Sequence, residues 1–234
     1  MKIIWDRIKY GSESVKDSLY ENGYANGRIL VDSKRCSRCG ECAAECIAGA
    51  ITLGEMAEVQ MDKCIFCQEC IGVCKQEALT ASSDYKMAHL SEKGEELRSK
   101  IFKIFNRSLV LRSVDTGSCN ACMLELSATQ NNFYALSRYG INFSASPRHC
   151  DGIVVTGPVT VNMKKALLKT YDAMSEPKLV IAVGSCANDG GVFKDGYGNL
   201  DKLSNILPVD LYIPGCPPSP QAIIYGLLLL MDRI

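Results

Sequence analysis

The chain has 234 residues, and 26 basic and 26 acidic side chains leave it a formal net charge of zero. That length suffices for one or two domains with proper cores, and without a basic excess no nucleic-acid partner is expected. Thirteen cysteines against only two histidines, His89 and His149, point away from histidine-based acid–base or nucleophilic catalysis.

In chain order, residues 1–30 form a leader. Its opening, MKIIWDRIKY, has no long apolar run and no small-residue cleavage site, so no secretory signal is expected. Ile4, Trp5 and Ile8 fall near one helical face. They suit either an amphipathic helix lying on a partner or membrane surface, or a frayed end capping a neighbour. Residues 31–80 contain an internal repeat, CSRCGECAAEC from Cys36 and CIFCQECIGVC from Cys64, each reading C-x2-C-x2-C-x3-C. Asp32 and Asp62 precede the two motifs. Residues 81–106 read as a helical linker, with Leu90, Leu97, Ile101, Ile104 and Phe105 at helical spacing and Ser91 as N-cap.

Residues 107–234 read as a separate α/β domain. SLVLRSV (108–114), GIVVTG (152–157), KLVIAVG (178–184) and VDLYIPG (209–215) are β-branched apolar runs, with a further strand near INFSAS. Helical patterns separate them, which predicts a parallel sheet covered on both faces. The run AIIYGLLLLM at 222–231 is too short to span a bilayer and reads as the buried face of the last helix. With no targeting segment and tight cysteine spacings, the chain is expected to be cytoplasmic, its thiols serving metal rather than disulfides.

The duplicated motif suits 4Fe–4S clusters for a geometric reason. Three thiolates from one tight loop grip three corners of a cube, and a fourth from the same loop would be strained, so it serves the other cluster. This assigns Cys36, Cys39, Cys42 and Cys74 to one cluster and Cys64, Cys67, Cys70 and Cys46 to the other. Zinc also takes C-x2-C pairs, but the x2, x2 spacing used twice favours clusters. The segment resembles the two-cluster bacterial ferredoxin domain, except that Ile47 and Lys75 stand where that family usually has proline.

Five cysteines remain. Cys119 and Cys122 follow the first predicted strand of the α/β domain, Cys186 follows KLVIAV and Cys216 follows VDLYI. Carboxyl ends of parallel strands share one edge of a sheet, where ligands bind, so these four thiols are expected to converge on a third 4Fe–4S cluster. Gly117, Gly184 and Gly215 allow close backbone approach, and Pro217 and Pro218 stiffen the last loop. Cys150 precedes its strand and is expected at the opposite edge as a buried or free thiol. Glu125 has two readings, a proton or supporting role near the cluster or an acid in a first helical turn. Asp115 reads as a turn cap, and Pro158 either as part of a partner interface or as a helix-start proline.

DTGSCNACMLEL, SPRHCDGIVVTGPVT, PKLVIAVGSCANDGGVF and LPVDLYIPGCPPSPQAI together resemble the small subunit of membrane-bound, energy-converting nickel–iron hydrogenases. The likeness is nearest the formate hydrogenlyase and hydrogenase-4 branch. It covers 107–234, with Ala121 where the family usually has glycine and Cys150 where it has alanine. It implies a flavodoxin-like domain whose Cys119, Cys122, Cys186 and Cys216 hold the proximal cluster, facing a nickel–iron site on a partner large subunit. The two-cluster domain is fused ahead of it. Membrane subunits of the complex would hold the assembly at the inner face of the cell membrane, and a ferredoxin or a formate or CO dehydrogenase module would donate electrons. The homologous complex I subunit carries its first two ligands on adjacent cysteines, whereas this chain has C-x2-C. A quinone-reductase or sulfur-reductase subunit is the alternative reading.

Overall fold

The computed structural model describes residues 2–11, 17, 19, 27–96 and 108–234. Helix α1 (Lys2–Tyr10) buries no side chain, and Ile4, Trp5 and Ile8 are all exposed.

The cysteine repeat folds as a small two-fold unit. Strand β1 (Ile29–Val31) pairs antiparallel with β4 (Leu79–Ala81), and β2 (Ile51–Leu53) pairs antiparallel with β3 (Ala57–Val59). Short helices α2 (Glu41–Glu45) and α3 (Glu69–Gly72) complete the two halves. The duplication persists in the backbone. Arg38 and Phe66, Gly40 and Gln68, and Gly49 and Glu77 take left-handed conformations at equivalent positions of the two repeats. Such residues reverse the chain between cysteines, at a cost of about 1–2 kcal/mol for a residue with a Cβ. Ile29, Cys42, Ile51, Ala57 and Leu79, with the small side chains of Ala50 and Ala78, form the buried core here, and most of the cysteines pack on it. Units with so little apolar core usually depend on metal or disulfides.

The second domain is built on a six-stranded sheet. In spatial order its strands are β5 (His89–Leu90), β12 (Leu211–Ile213), β10 (Leu179–Val183), β8 (Gly152–Thr156), β6 (Leu109–Asp115) and β7 (Ile141–Phe143). All neighbours run parallel except β5, which is antiparallel to β12. Numbered among themselves, the five parallel strands lie in the order 2-1-3-4-5 of flavodoxin-like sheets. Side chains alternate between two cores. Leu111, Val154, Ile181 and Leu211 face α4 (Ala121–Ala128) and α7 (Pro220–Leu230), while Ile153, Val155, Val180 and Ala182 face α5 (Val161–Asp172) and α6 (Ser185–Asp189).

Three expectations change. Leu90 lies in the edge strand β5 rather than on a linker helix, and Tyr85 in the same connector is fully buried, edge-on to Tyr225 of α7. Tyr85, Ala88 and Leu90 therefore pack into the second domain's core. Ser91 does cap the helical turn at 92–96, its Oγ accepting from the Gly94 amide at 3.1 Å, while Leu97, Ile101, Ile104 and Phe105 lie outside the described residues. Helix α7 is buried around most of its circumference, not along one face, because the sheet covers one side and the Tyr85 segment another. Pro158 does not start a helix: it precedes β9 (Val159–Thr160), which pairs with β11 (Asn199–Asp201), and α5 begins at Val161.

Candidate metal centres

In the N-terminal unit the chain brings the cysteines together in two foursomes. One small cavity is lined by Cys36, Cys39, Cys42 and Cys74, and a second by Cys46, Cys64, Cys67 and Cys70. The fourth cysteine of each motif thus sits with the first three of the other. Burial, and then the charges of Cys39, Cys74 and Cys36, push the Cys42 thiol up. Burial, then Cys64, Cys67, Cys46 and Cys42, push Cys70 up to about 11. Backbone amides of Ala50, Phe66 and Ala78 donate to the sulfurs of Cys46, Cys64 and Cys74 at 3.2, 3.4 and 3.3 Å. Lys75, in the proline position, pairs instead with Glu41 of the first motif at 2.7 Å, on the surface.

The third foursome stands at the carboxyl edge of the parallel sheet. Cys119 and Cys122 follow β6, Cys186 lies in α6 directly after β10, and Cys216 follows β12. Strands β6 and β10 flank β8, so the topology carries Cys119 and Cys186, 67 residues apart in the chain, to one edge of the sheet. Burial, together with the charges of Cys186, Cys216 and Cys119, raises Cys122 to about 12. Burial and the charges of Cys216 and Cys119 raise Cys186 to about 11. Gly184 (φ +90°) runs so close that a Cβ there would lie 2.6 Å from the Cys122 sulfur. Asp115 closes the preceding turn, its carboxylate accepting from the amides of Gly117 and Ser118 at 2.9 and 2.7 Å.

Four-thiol donor sets in which burial and neighbouring cysteines raise Cys42, Cys70, Cys122 and Cys186 fit a cationic iron–sulfur core, whose positive irons favour the thiolate form. Among the described residues no three His, Cys, Asp or Glu side chains converge closely enough to grip one metal ion.

Cys150 stays apart, buried before β8, with its thiol directed at the Ser146 carbonyl at 3.2 Å. Glu125 departs from the first-turn reading. Asn120, in a left-handed conformation, directly precedes α4, the helix starts at Ala121 with no acid in its first turn, and Glu125 lies one turn further along. Burial alone raises its carboxyl above the usual range.

Two polar residues escaped the sequence reading although they flank Cys186 in VGSCANDGG. The Ser185 hydroxyl donates to the carbonyl of Cys64 at 2.6 Å, and the Asn188 amide donates to the Asp62 carboxylate at 2.9 Å. Their partners lie 121 and 126 residues away, beyond any local pattern.

The family model for the NADH ubiquinone oxidoreductase, 20 Kd subunit, matches residues 119–230, from the first cysteine of the strand-end site to the end of α7. The chain is 39% identical over 138 residues to formate hydrogenlyase subunit 7 of Escherichia coli K12, covering 59% of this chain and 54% of that protein. It is 37% identical over 140 residues to the probable membrane-bound hydrogenase subunit mbhJ of Pyrococcus furiosus, covering 60% and 84%. To an NADH-quinone oxidoreductase subunit of Citrifermentans bemidjiense it is 49% identical over 113 residues, covering 48% and 66%. The chain therefore spans about half the length of the formate hydrogenlyase subunit, and its cysteine repeat lies outside the family match. No helix among the described residues is long and apolar enough to cross a membrane. With this match and most of the Pyrococcus subunit covered at 37% identity, the chain belongs to the family of the NADH ubiquinone oxidoreductase 20 Kd subunit, whose relatives named here are subunits of oxidoreductase complexes.

Proposed function

We propose that the chain is an electron-transfer subunit holding three 4Fe–4S clusters. It passes electrons from the N-terminal unit through the strand-end site to a nickel–iron centre on a partner large subunit, for proton reduction or dihydrogen oxidation. The observation that carries this reading is the grouping of twelve cysteines into three foursomes, one of them at the ligand-binding edge of a parallel sheet.

Bound there, the clusters supply reversible one-electron transfer. The chain's residues do the rest. Amides of Ala50, Phe66 and Ala78 spread negative charge away from the sulfurs, which favours the more negative, reduced state. Burial of Cys42, Cys122 and Cys186 limits water at the ligands. Leu124 of α4, Val161 of α5, and Val192, Phe193, Tyr197 and Leu200 of the segment after α6 are large hydrophobic side chains left exposed. Apolar surface of that kind suits a protein partner. Membrane subunits and a ferredoxin-like or dehydrogenase donor would complete the complex.

A second reading rests on the 49% identity to the quinone oxidoreductase relative: the same clusters would feed a quinone. The C-x2-C spacing of Cys119 and Cys122 favours the hydrogenase side. Purification of the complex from the native host decides between them. The expected result is a large-subunit partner that contains nickel and paired C-x2-C motifs. A nickel-free partner with quinone reductase activity overturns the hydrogenase reading.

A further inference from the structure

We propose that Ser185 and Asn188 form an internal clamp. It holds the Cys64 loop of the N-terminal unit against the strand-end site, and so fixes which of the two ferredoxin-type sites exchanges electrons with the α/β domain. This rests on the three-cluster reading above.

Ser185 is fully buried and stands between ligand segments of two sites. Its hydroxyl donates to the carbonyl of Cys64 at 2.6 Å, and its amide donates at 2.9 Å to the carbonyl of Gly215, the residue before Cys216. Its own neighbour in the chain is Cys186. One residue therefore ties together the backbone around Cys64, Cys186 and Cys216. One turn along α6, Asn188, also buried, donates to one oxygen of the Asp62 carboxylate at 2.9 Å. The other oxygen faces His89 Nε2 at 3.4 Å, and the His89 ring stacks on Tyr212 of β12 with centroids 5.2 Å apart. The clamp thus reaches the Cys64 loop from α6 and from the β5–β12 edge.

Both side-chain contacts fall on the second motif, at the Cys64 carbonyl and at the Asp62 carboxylate two residues before it. The Cys46, Cys64, Cys67 and Cys70 site is therefore the inner one, next to the strand-end site, and the Cys36, Cys39, Cys42 and Cys74 site is the outer one, where a donor would deliver electrons. The rate of electron transfer falls steeply with the gap between centres, so small positional losses at this contact act on rate before they act on cluster content. Ser185 and Asn188 are positioning residues. They add no ligand, but they turn a tethered module, already at high effective concentration, into a fixed one.

The test uses the full chain in its native complex and three measurements: iron content, magnetic coupling between reduced clusters by EPR, and the rate of internal electron transfer by rapid freeze-quench. Asn188→Asp places a carboxylate against that of Asp62. The expected result is wild-type iron with loss of the inter-cluster coupling and internal transfer slowed by about tenfold or more. Adding Asp62→Asn reverses the donor and acceptor and is expected to restore both coupling and rate. Wild-type coupling and rate in Asn188→Asp, or no recovery in the double variant with iron intact, overturns the clamp. Ser185→Ala, which deletes one oxygen, gives a second reading should Asn188→Asp lose iron: full iron with weakened coupling supports the clamp, and full iron with wild-type coupling overturns it. A wild-type complex without three clusters is a distinct outcome: it refutes the underlying cofactor reading, and the clamp with it.

Discussion

Gly184→Ala is expected to empty the strand-end site while leaving the N-terminal unit's clusters in place. Gly184 follows β10 with φ +90°, a region that costs a residue with a Cβ about 1–3 kcal/mol. The new methyl would lie 2.6 Å from the Cys122 sulfur and 3.4 Å from the Gly215 carbonyl. That sulfur belongs to a side chain already buried in the core under α4 and α7, so it has little room to withdraw. The melting temperature should fall by roughly 2–10 °C. Iron content should drop by about one third, the share of one 4Fe–4S cluster in three. Thermal melts and iron determination on the purified complex check both. Wild-type iron and melting would show that the Gly184 approach does not bear on the site.

The second large effect separates crossed from sequential ligation in the cysteine repeat. The cavities place Cys74 with Cys36, Cys39 and Cys42, and Cys46 with Cys64, Cys67 and Cys70. Serine at Cys74 should therefore abolish the same EPR signal as serine at Cys42, and serine at Cys46 the same signal as serine at Cys70. Each change should remove about one third of the iron. The unit's own stability should suffer as well, because its apolar core is small and the cysteines pack on it. If Cys42→Ser and Cys46→Ser shared one lost signal, each motif would be closing its own cluster and the grouping described here would be wrong.

Most of the scaffold was legible in the sequence. The β-branched runs became the parallel strands, and Cys119, Cys122, Cys186 and Cys216 stand, as their sequence positions implied, just beyond strand carboxyl ends. The repeat announced itself through spacing, and its symmetry reaches as far as paired left-handed residues such as Arg38 and Phe66. What escaped has physical reasons. Leu90 sits in a two-residue edge strand, too short to show a period of two. Tyr85 looks like any linker aromatic until α7 folds beside it. Glu125 lost its first-turn reading because a left-handed Asn120 sets the start of α4 at Ala121. Ser185 and Asn188 pair with residues more than a hundred positions away, and only the packing of the N-terminal unit on the α/β domain brings them together.

That packing also bears on why the cysteine repeat is part of this chain. A flexible tether would fix the identity of the electron partner but not its orientation. Here the Cys64 loop meets α6 through a buried serine and a buried asparagine, and Tyr85, Ala88 and Leu90 of the connector pack into the second domain's core. The fused unit is held against the α/β domain and not left to diffuse on a linker.

The central claim is that twelve of the thirteen cysteines hold three 4Fe–4S clusters and that Cys150 holds none. A redox titration followed by EPR, with iron, zinc and acid-labile sulfide determined on the same purified complex and corrected for its other subunits, tests it most directly. The account predicts three reducible 4Fe–4S clusters and about twelve irons attributable to this chain, no zinc, and all three clusters retained in Cys150→Ala. Zinc in place of iron at any foursome, two clusters or fewer, or loss of a cluster in Cys150→Ala would contradict it.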